Sequence, residues 1–224
     1  MQLLRLFQLV SPALPVGAFS YSEGLEVLVQ AGRLPDAPAV RAWLEAELNR
    51  GLVAVEAAAL PVLMEALAAG DWDAAAERDG WLLAQREAAA MRAQQRQMGR
   101  SLLQLLADLG WPPGLPLGWP GAWAWAGVCL ALPDAVLVPA YLHGWTANQL
   151  SAAVRLVPLG STEAQRLQLA LAPLIAGRAA ELLEPAPAAS SGPEGGGSDL
   201  WNSGVGAGLA QLGHAELYSR LFRS

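Results

Sequence analysis

The sequence predicts an all-α fold: a single helical-bundle domain, a flexible linker and a short amphipathic C-terminal segment. Three observations predict it. Apolar residues recur at helical spacing through most of the first 184 positions, with Ala and Leu dominant. No run of Val, Ile, Thr and aromatic residues alternates for long enough to make a strand. Pro185 to Gly197 is almost wholly Pro, Ala, Ser and Gly, a composition that buries too little apolar surface to fold. The expected organisation is therefore a domain over 1–184, a linker over 185–199 and a tail over 200–224.

Each element has a local reason. Asp36 can cap a helix with Pro38 in its first turn, and Val40, Trp43, Leu44 and Leu48 follow on one face. Val53 to Ala68 continues the apolar pattern, with Pro61 kinking or dividing it. Asp71 opens the next helix, expected to run through Trp81, Met91 and Met98 to Leu106. Gly110 to Pro120 is a Pro/Gly-rich loop. Two apolar helices then flank Pro133, and Thr162 caps a helix running to Leu183. In the tail, Leu217 and Leu221, and Tyr218 and Phe222, stand four residues apart and would share one helical face. Arg220 and Arg223 fall to the other side, near the C-terminal end that favours cations. Such a helix is marginal alone, since helices below roughly 12–15 residues rarely hold in water. It must bury its apolar face on something.

Composition narrows the function. Apolar residues make up 54% of the 224 and charged residues only 15%, which favours oligomers or permanent partners. The net charge is −6 and all fourteen basic residues are Arg. Absence of Lys excludes Schiff-base chemistry and a P-loop lysine. The acidic balance also argues against nucleic acid, which needs a clustered positive surface. The lone Cys129 can form no internal disulfide and fits a reducing cytosol.

Three stretches imitate membrane segments. Met1 to Val10 is interrupted by Gln2 and Gln8 and ended by Pro12 and Pro15, too short and broken for a signal peptide. Between Asp108 and Asp134 four prolines in the first half leave only Ala122 to Leu132 uninterrupted, too short to span a bilayer. Ala135 to Val154 is uncharged but includes His143, Asn148, Gln149 and Ser151. These read as buried helices of a soluble protein. The Trp-rich apolar stretches do suggest a competing reading, a membrane-surface or lipid-binding helical protein. Missing Lys and the acidic balance weigh against it, because anionic membranes attract basic faces.

Catalytic and metal-binding patterns are scarce. Two His, at 143 and 214, and one Cys lie far apart in sequence, so no private metal site is expected. Ser20-Tyr21-Ser22-Glu23-Gly24 lacks the first Gly of a nucleophile elbow, and no strand precedes it. His143, beside Gly144-Trp145, reads as a hydrogen-bonded core residue rather than a base. Arg92, Arg96 and Arg100 recur every four residues as either a solvated face or a docking stripe for an acidic partner. Trp119, Trp123 and Trp125 read mostly as core, though Trp is also a favoured interface anchor. Leu14 to Glu26 is compact, with two glycines and a pair of serines able to cap a helix start. It is either a tight turn into a helix or a contact surface that exposes backbone.

Four blocks, in order, carry a resemblance. Leu14 to Glu26 resembles the N-terminal signature of the urease accessory protein UreF family, and Arg86 to Leu103 its middle helix. Tyr141-Leu142-His143-Gly144-Trp145 and Ser151 to Gly160 resemble its central block, and Tyr218 to Ser224 its terminus. Tyr21 stands where the family usually has His, and Ser11-Pro12 where Asp-Ser is typical. The resemblance implies a cytoplasmic, all-helical, dimer-forming chaperone for nickel insertion, with no catalysis of its own. It implies bridging of a UreD/UreH-type accessory protein and the GTPase UreG in a complex that matures apo-urease. Nickel and GTP would be handled by that complex, with no cofactor held tightly by this chain. The partner-binding residues it implies are Gly17, Phe19, Ser20, Tyr21, Ser22, Gly24 and Glu26, then Arg100 and Arg155. In the tail they are His214, Tyr218, Ser219, Arg220, Leu221, Phe222 and Arg223.

Overall fold

A computed structural model describes residues 1–184, 202 and 204–223. Among these there is no strand, and the helices are α1 (Gln2–Leu9), α2 (Leu25–Gln30), α3 (Ala37–Arg50), α4 (Leu52–Ala68) and α5 (Trp72–Ala84), followed by α6 (Ala89–Asp108), α7 (Trp119–Cys129), α8 (Asp134–Leu156), α9 (Ser161–Leu183) and α10 (Val205–Gly213). The expected linker, 185–199, lies outside the described residues.

At the centre is α4, which packs against α3, α5, α7, α8 and α9. Its sequence is apolar over most of its circumference, as burial against several neighbours requires. Leu60, Leu63 and Ala57 are completely buried. Pro61 neither divides nor ends α4, which runs through it unbroken. Helices α3 and α4 together form one run, Ala37–Ala68, long and apolar enough by composition to cross a membrane. That run is broken by extended backbone at Gly51 and half of its apolar window is buried within the protein, so its apolar character serves the core. A Cβ at Gly51 would stand 2.7 Å from the Glu47 carbonyl oxygen and 2.8 Å from its Cα, so only Gly fits this joint.

The local signals are realised at several ends. Asp36 accepts from the Ala39 amide and Asp71 from the Ala74 amide, each at 3.0 Å, capping α3 and α5. Thr162 is no cap, because α9 already begins at Ser161 after Gly160. The expected single helix from Asp71 to Leu106 is two, broken at residues 85–88. Gln85, Arg86, Glu87 and Ala88 all favour helix, so tertiary forces make this break. Arg86 turns inward there and donates to Glu56 Oε1 from Nε at 3.1 Å and Nη2 at 2.5 Å. Tyr141 Oη donates to the other carboxylate oxygen at 2.8 Å. Arg92 seals the joint by donating to the Arg86 and Glu87 carbonyls.

Asp79 of α5 performs a second non-local task. Its oxygens accept from Gly118 N at 2.6 Å and Gly121 N at 3.1 Å, holding the N-terminus of α7 and the loop before it. Burial pushes its carboxyl up and those two amides oppose the shift. The three tryptophans are chiefly core. Trp123 is buried between Trp119 (5.3 Å between ring centroids) and Tyr141 (5.6 Å), and Trp125 packs edge-on against Trp72 at 4.8 Å.

Candidate functional site

The most elaborately built surface joins the Leu14–Glu26 loop to the tail. After α1, a 3-10 turn over Ala18–Ser20 is entered from Gly17 at φ 72°, and α2 starts after Gly24 at φ 90°. Only Gly adopts these left-handed conformations without strain. Gly24 is doubly constrained, since an added Cβ would lie 3.1 Å from Gln211 N and 3.2 Å from Ala210 Cβ of α10. Between them Glu23, itself at φ 52°, accepts from Gln94 Nε2 and Trp145 Nε1, both at 2.9 Å, and so pins the loop to α6 and α8.

The tail closes on this loop. Glu26 is 2% exposed, and its two oxygens accept from the Leu221 amide at 2.7 Å and the Phe222 amide at 3.1 Å. His214, also buried, brings Nε2 to 3.5 Å from Glu26 Oε2, an ion pair whenever the imidazole is protonated. Arg223 N donates to the Ser20 carbonyl at 2.9 Å, and Gln30 Nε2 to the Ser219 carbonyl at 3.1 Å. Phe222 is 5% exposed and joins the main core, with the Arg155 guanidinium 5.7 Å from its ring centroid. Arg155 Nη1 also donates to the Phe19 carbonyl at 3.3 Å. One α8 side chain thus touches both the loop and the tail.

Buried charge surrounds this joint. Glu47 is pushed up to about 7, first by burial and then by the negative charge of Glu23, against the pull of Arg86. Glu56 is raised by burial, with Arg86 and the Tyr141 hydroxyl pulling it back. The Tyr141 phenol is held well above its usual range by the same burial. Burial likewise pushes the half-buried Cys129 thiol up to about 12.

The structure brings most of the singled-out residues together: Phe19, Ser20, Gly24, Glu26, Arg155, His214, Ser219, Phe222 and Arg223 all take part in one joint. Tyr21 and Ser22 are buried beneath it, and the N-cap of α2 is Gly24, which has no side chain to offer. Arg100 does not touch the tail; it lines clefts beside Pro15 and the 113–118 loop. His143 is exposed rather than core, its ring 3.1 Å from Gln168 Nε2. The expected tail helix is absent. A helical run, α10, ends at Gly213, a 3-10 turn spans His214–Glu216, and 217–223 is irregular. The expected free face is therefore split, with Phe222 packed on the chain's own domain while Tyr218 and Leu221 point to solvent. Sequence reasoning missed Glu56, Arg86, Asp79 and Glu47, whose partners lie far away in sequence.

The class this geometry defines is an all-helical protein whose C-terminal tail builds a surface with its own N-terminal loop. Comparison with known proteins gives the family. A UreF family model matches residues 34–172. The urease accessory protein UreF of Alkalilimnicola ehrlichii is 41% identical over 227 residues, spanning 98% of this chain and 95% of the relative. That of Thermosynechococcus vestitus is 39% identical over 229 residues, spanning 99% and 97%. A Prochlorococcus marinus relative of the same name is 33% identical over 230 residues. The chain belongs to the UreF family of urease accessory proteins.

Proposed function

We propose that this chain is a non-catalytic, cytoplasmic docking component of urease maturation. It bridges a UreD/UreH-type accessory protein and a UreG-type GTPase, in a complex that acts on apo-urease and contains the chain as a homodimer. The observation that carries this reading is the joint of tail and loop. It fixes Phe19, Tyr218 and Leu221 outward around a buried anchor, beside the exposed Leu209 and Leu212 of α10. Exposed aromatic and aliphatic side chains held on a fixed backbone supply contact area without further ordering of the chain. Arg155 reaches the same joint from α8, so contact there can be sensed from two elements.

Co-purification tests the proposal. Tyr218→Ser with Leu221→Ser removes two exposed side chains and leaves both amides on Glu26. The double variant is expected to keep the wild-type melting temperature and lose capture of the UreD/UreH-type partner. Unchanged capture would overturn the docking role of this surface. Nickel and GTP are handled by the complex, and this chain alone encloses no tight nickel site. Calorimetric titration giving a stoichiometric submicromolar site in the isolated protein would reject that part.

A further inference from the structure

A second feature lies away from the tail. Between α5, α6 and the loop before α7 is a cleft of about 480 Å³, within the size range of small-ligand sites. Arg96 and Arg100 stand on its α6 side, Leu83 and Leu103 line its floor, and Pro113 and Leu115 form the loop side. The cleft is preformed. Gly99 leaves room for the Leu117 carbonyl, where a Cβ would come within 2.4 Å, and Gly114 lies under the Trp72 ring. Asp79 fastens Gly118 from below.

The charges are unbalanced. Of the stripe Arg92, Arg96, Arg100, only Arg92 is engaged, on two carbonyls. Among the described residues Arg96 and Arg100 make no hydrogen bond and no ion pair. Like charges four apart on a helix repel. Asp79 also lines the cleft, but both of its oxygens are taken by the Gly118 and Gly121 amides, though the Arg96 charge acts on it. Two forked cations therefore face an apolar wall across a fixed gap. Guanidinium forks match the paired oxygens of carboxylate and phosphate.

We infer that this cleft binds a small amphipathic oxyanion, a carboxylate or phosphate borne on an apolar body. Arg96 and Arg100 take the oxyanion, and Leu83, Pro113 and Leu115 take the body. The full chain is titrated with 8-anilinonaphthalene-1-sulfonate, an oxyanion on an aromatic body, followed by fluorescence. One saturable site per chain is expected. Arg96→Ala and Arg100→Ala each weaken it at least tenfold, and Arg92→Ala leaves it unchanged. Leu115→Glu, which puts a carboxylate into the cleft without altering α6, abolishes it. Decanoate and decyl phosphate displace the probe at concentrations at least tenfold below decanol, and the tighter of the two identifies the headgroup. Arginine variants that bind the probe like wild type, or decanol competing as well as the anions, would overturn the inference. An acetylated acidic peptide displacing the probe more tightly than either amphiphile would overturn it as well, in favour of a protein-docking groove.

Discussion

Glu26 and Glu56 are both 2% exposed, yet they are satisfied in opposite ways. Glu56 meets side chains of the core, a guanidinium from the α5–α6 joint 30 residues away and a phenol from α8 85 away. Glu26 meets backbone amides of the tail, 195 and 196 residues away. Opening the first pair requires prising apart α4, the α5–α6 joint and α8. Opening the second requires only that the last few residues peel off. One carboxylate locks the bundle and the other holds a releasable clasp. Local unfolding free energies differ in this way between core elements and chain ends.

The largest expected effect comes from breaking the lock. Arg86→Met leaves Glu56 buried without its cation, which should destabilise the fold by about 3–5 kcal/mol. At roughly 2–4 °C per kcal/mol for a chain of this size, the melting temperature should fall by about 6–20 °C. Adding Glu56→Gln should restore a large part of it, and a double variant no more stable than Arg86→Met would show that the pair is not the lock.

Releasing the clasp should matter less. Truncation before His214 removes Phe222 from the core and strands the Glu26 carboxylate. Burial of such a ring is worth about 1.5–3 kcal/mol, and freeing the tail returns conformational entropy. A drop in melting temperature of a few degrees is expected. Hydrogen exchange in the intact chain sharpens the contrast. The Leu221 and Phe222 amides should be protected, but exchange well before the α4 amides. Exchange of both sets at the same rate would mean that tail and bundle open together.

Glu47 lies next to the clasp, at α3, close to Gly204. Its folded value near 7 lies above the unfolded 4.5, so its favourable contribution is complete below about 4.5 and is lost as pH rises through 7. Glu47→Gln should therefore match wild type near pH 5 and exceed it at pH 8, by on the order of 2 kcal/mol. Equal stability of the two at both pH values would sink the assignment. The smallest stability effect is expected for Arg155→Ala, about 0.5–1 kcal/mol for an exposed cation–π contact. If Arg155 couples loop and tail for the GTPase, recruitment should fall far more than stability does.

What could be read from the sequence divides along the same line. Helix starts at Asp36 and Asp71, the loop after Gly110 and the apolar pattern of α4 all follow from neighbours within a few positions. The break at 85–88 does not, because its cause is Glu56 on another helix. The tail misled for a related reason. The pairs Leu217/Leu221 and Tyr218/Phe222 have helical spacing, but the amides of 221 and 222 are claimed by Glu26, and a helix needs those same donors. The loop and the tail were each singled out through the resemblance, whereas their contact with one another, made by Glu26 through main-chain bonds, was not legible.

Glu26 holds the tail by its main chain, and this leaves the side chains at the clasp unequal in their freedom to vary. An amide offered to a carboxylate is the same for nineteen of the twenty residues, so position 221 can be rewritten without loosening the grip. Proline alone is barred, having no N–H to give. Phe222 is confined by its pocket, but the exposed Leu221 answers to whatever lies outside the chain. The joint can thus keep its architecture while its outward face is retuned, one residue at a time, to a changing partner.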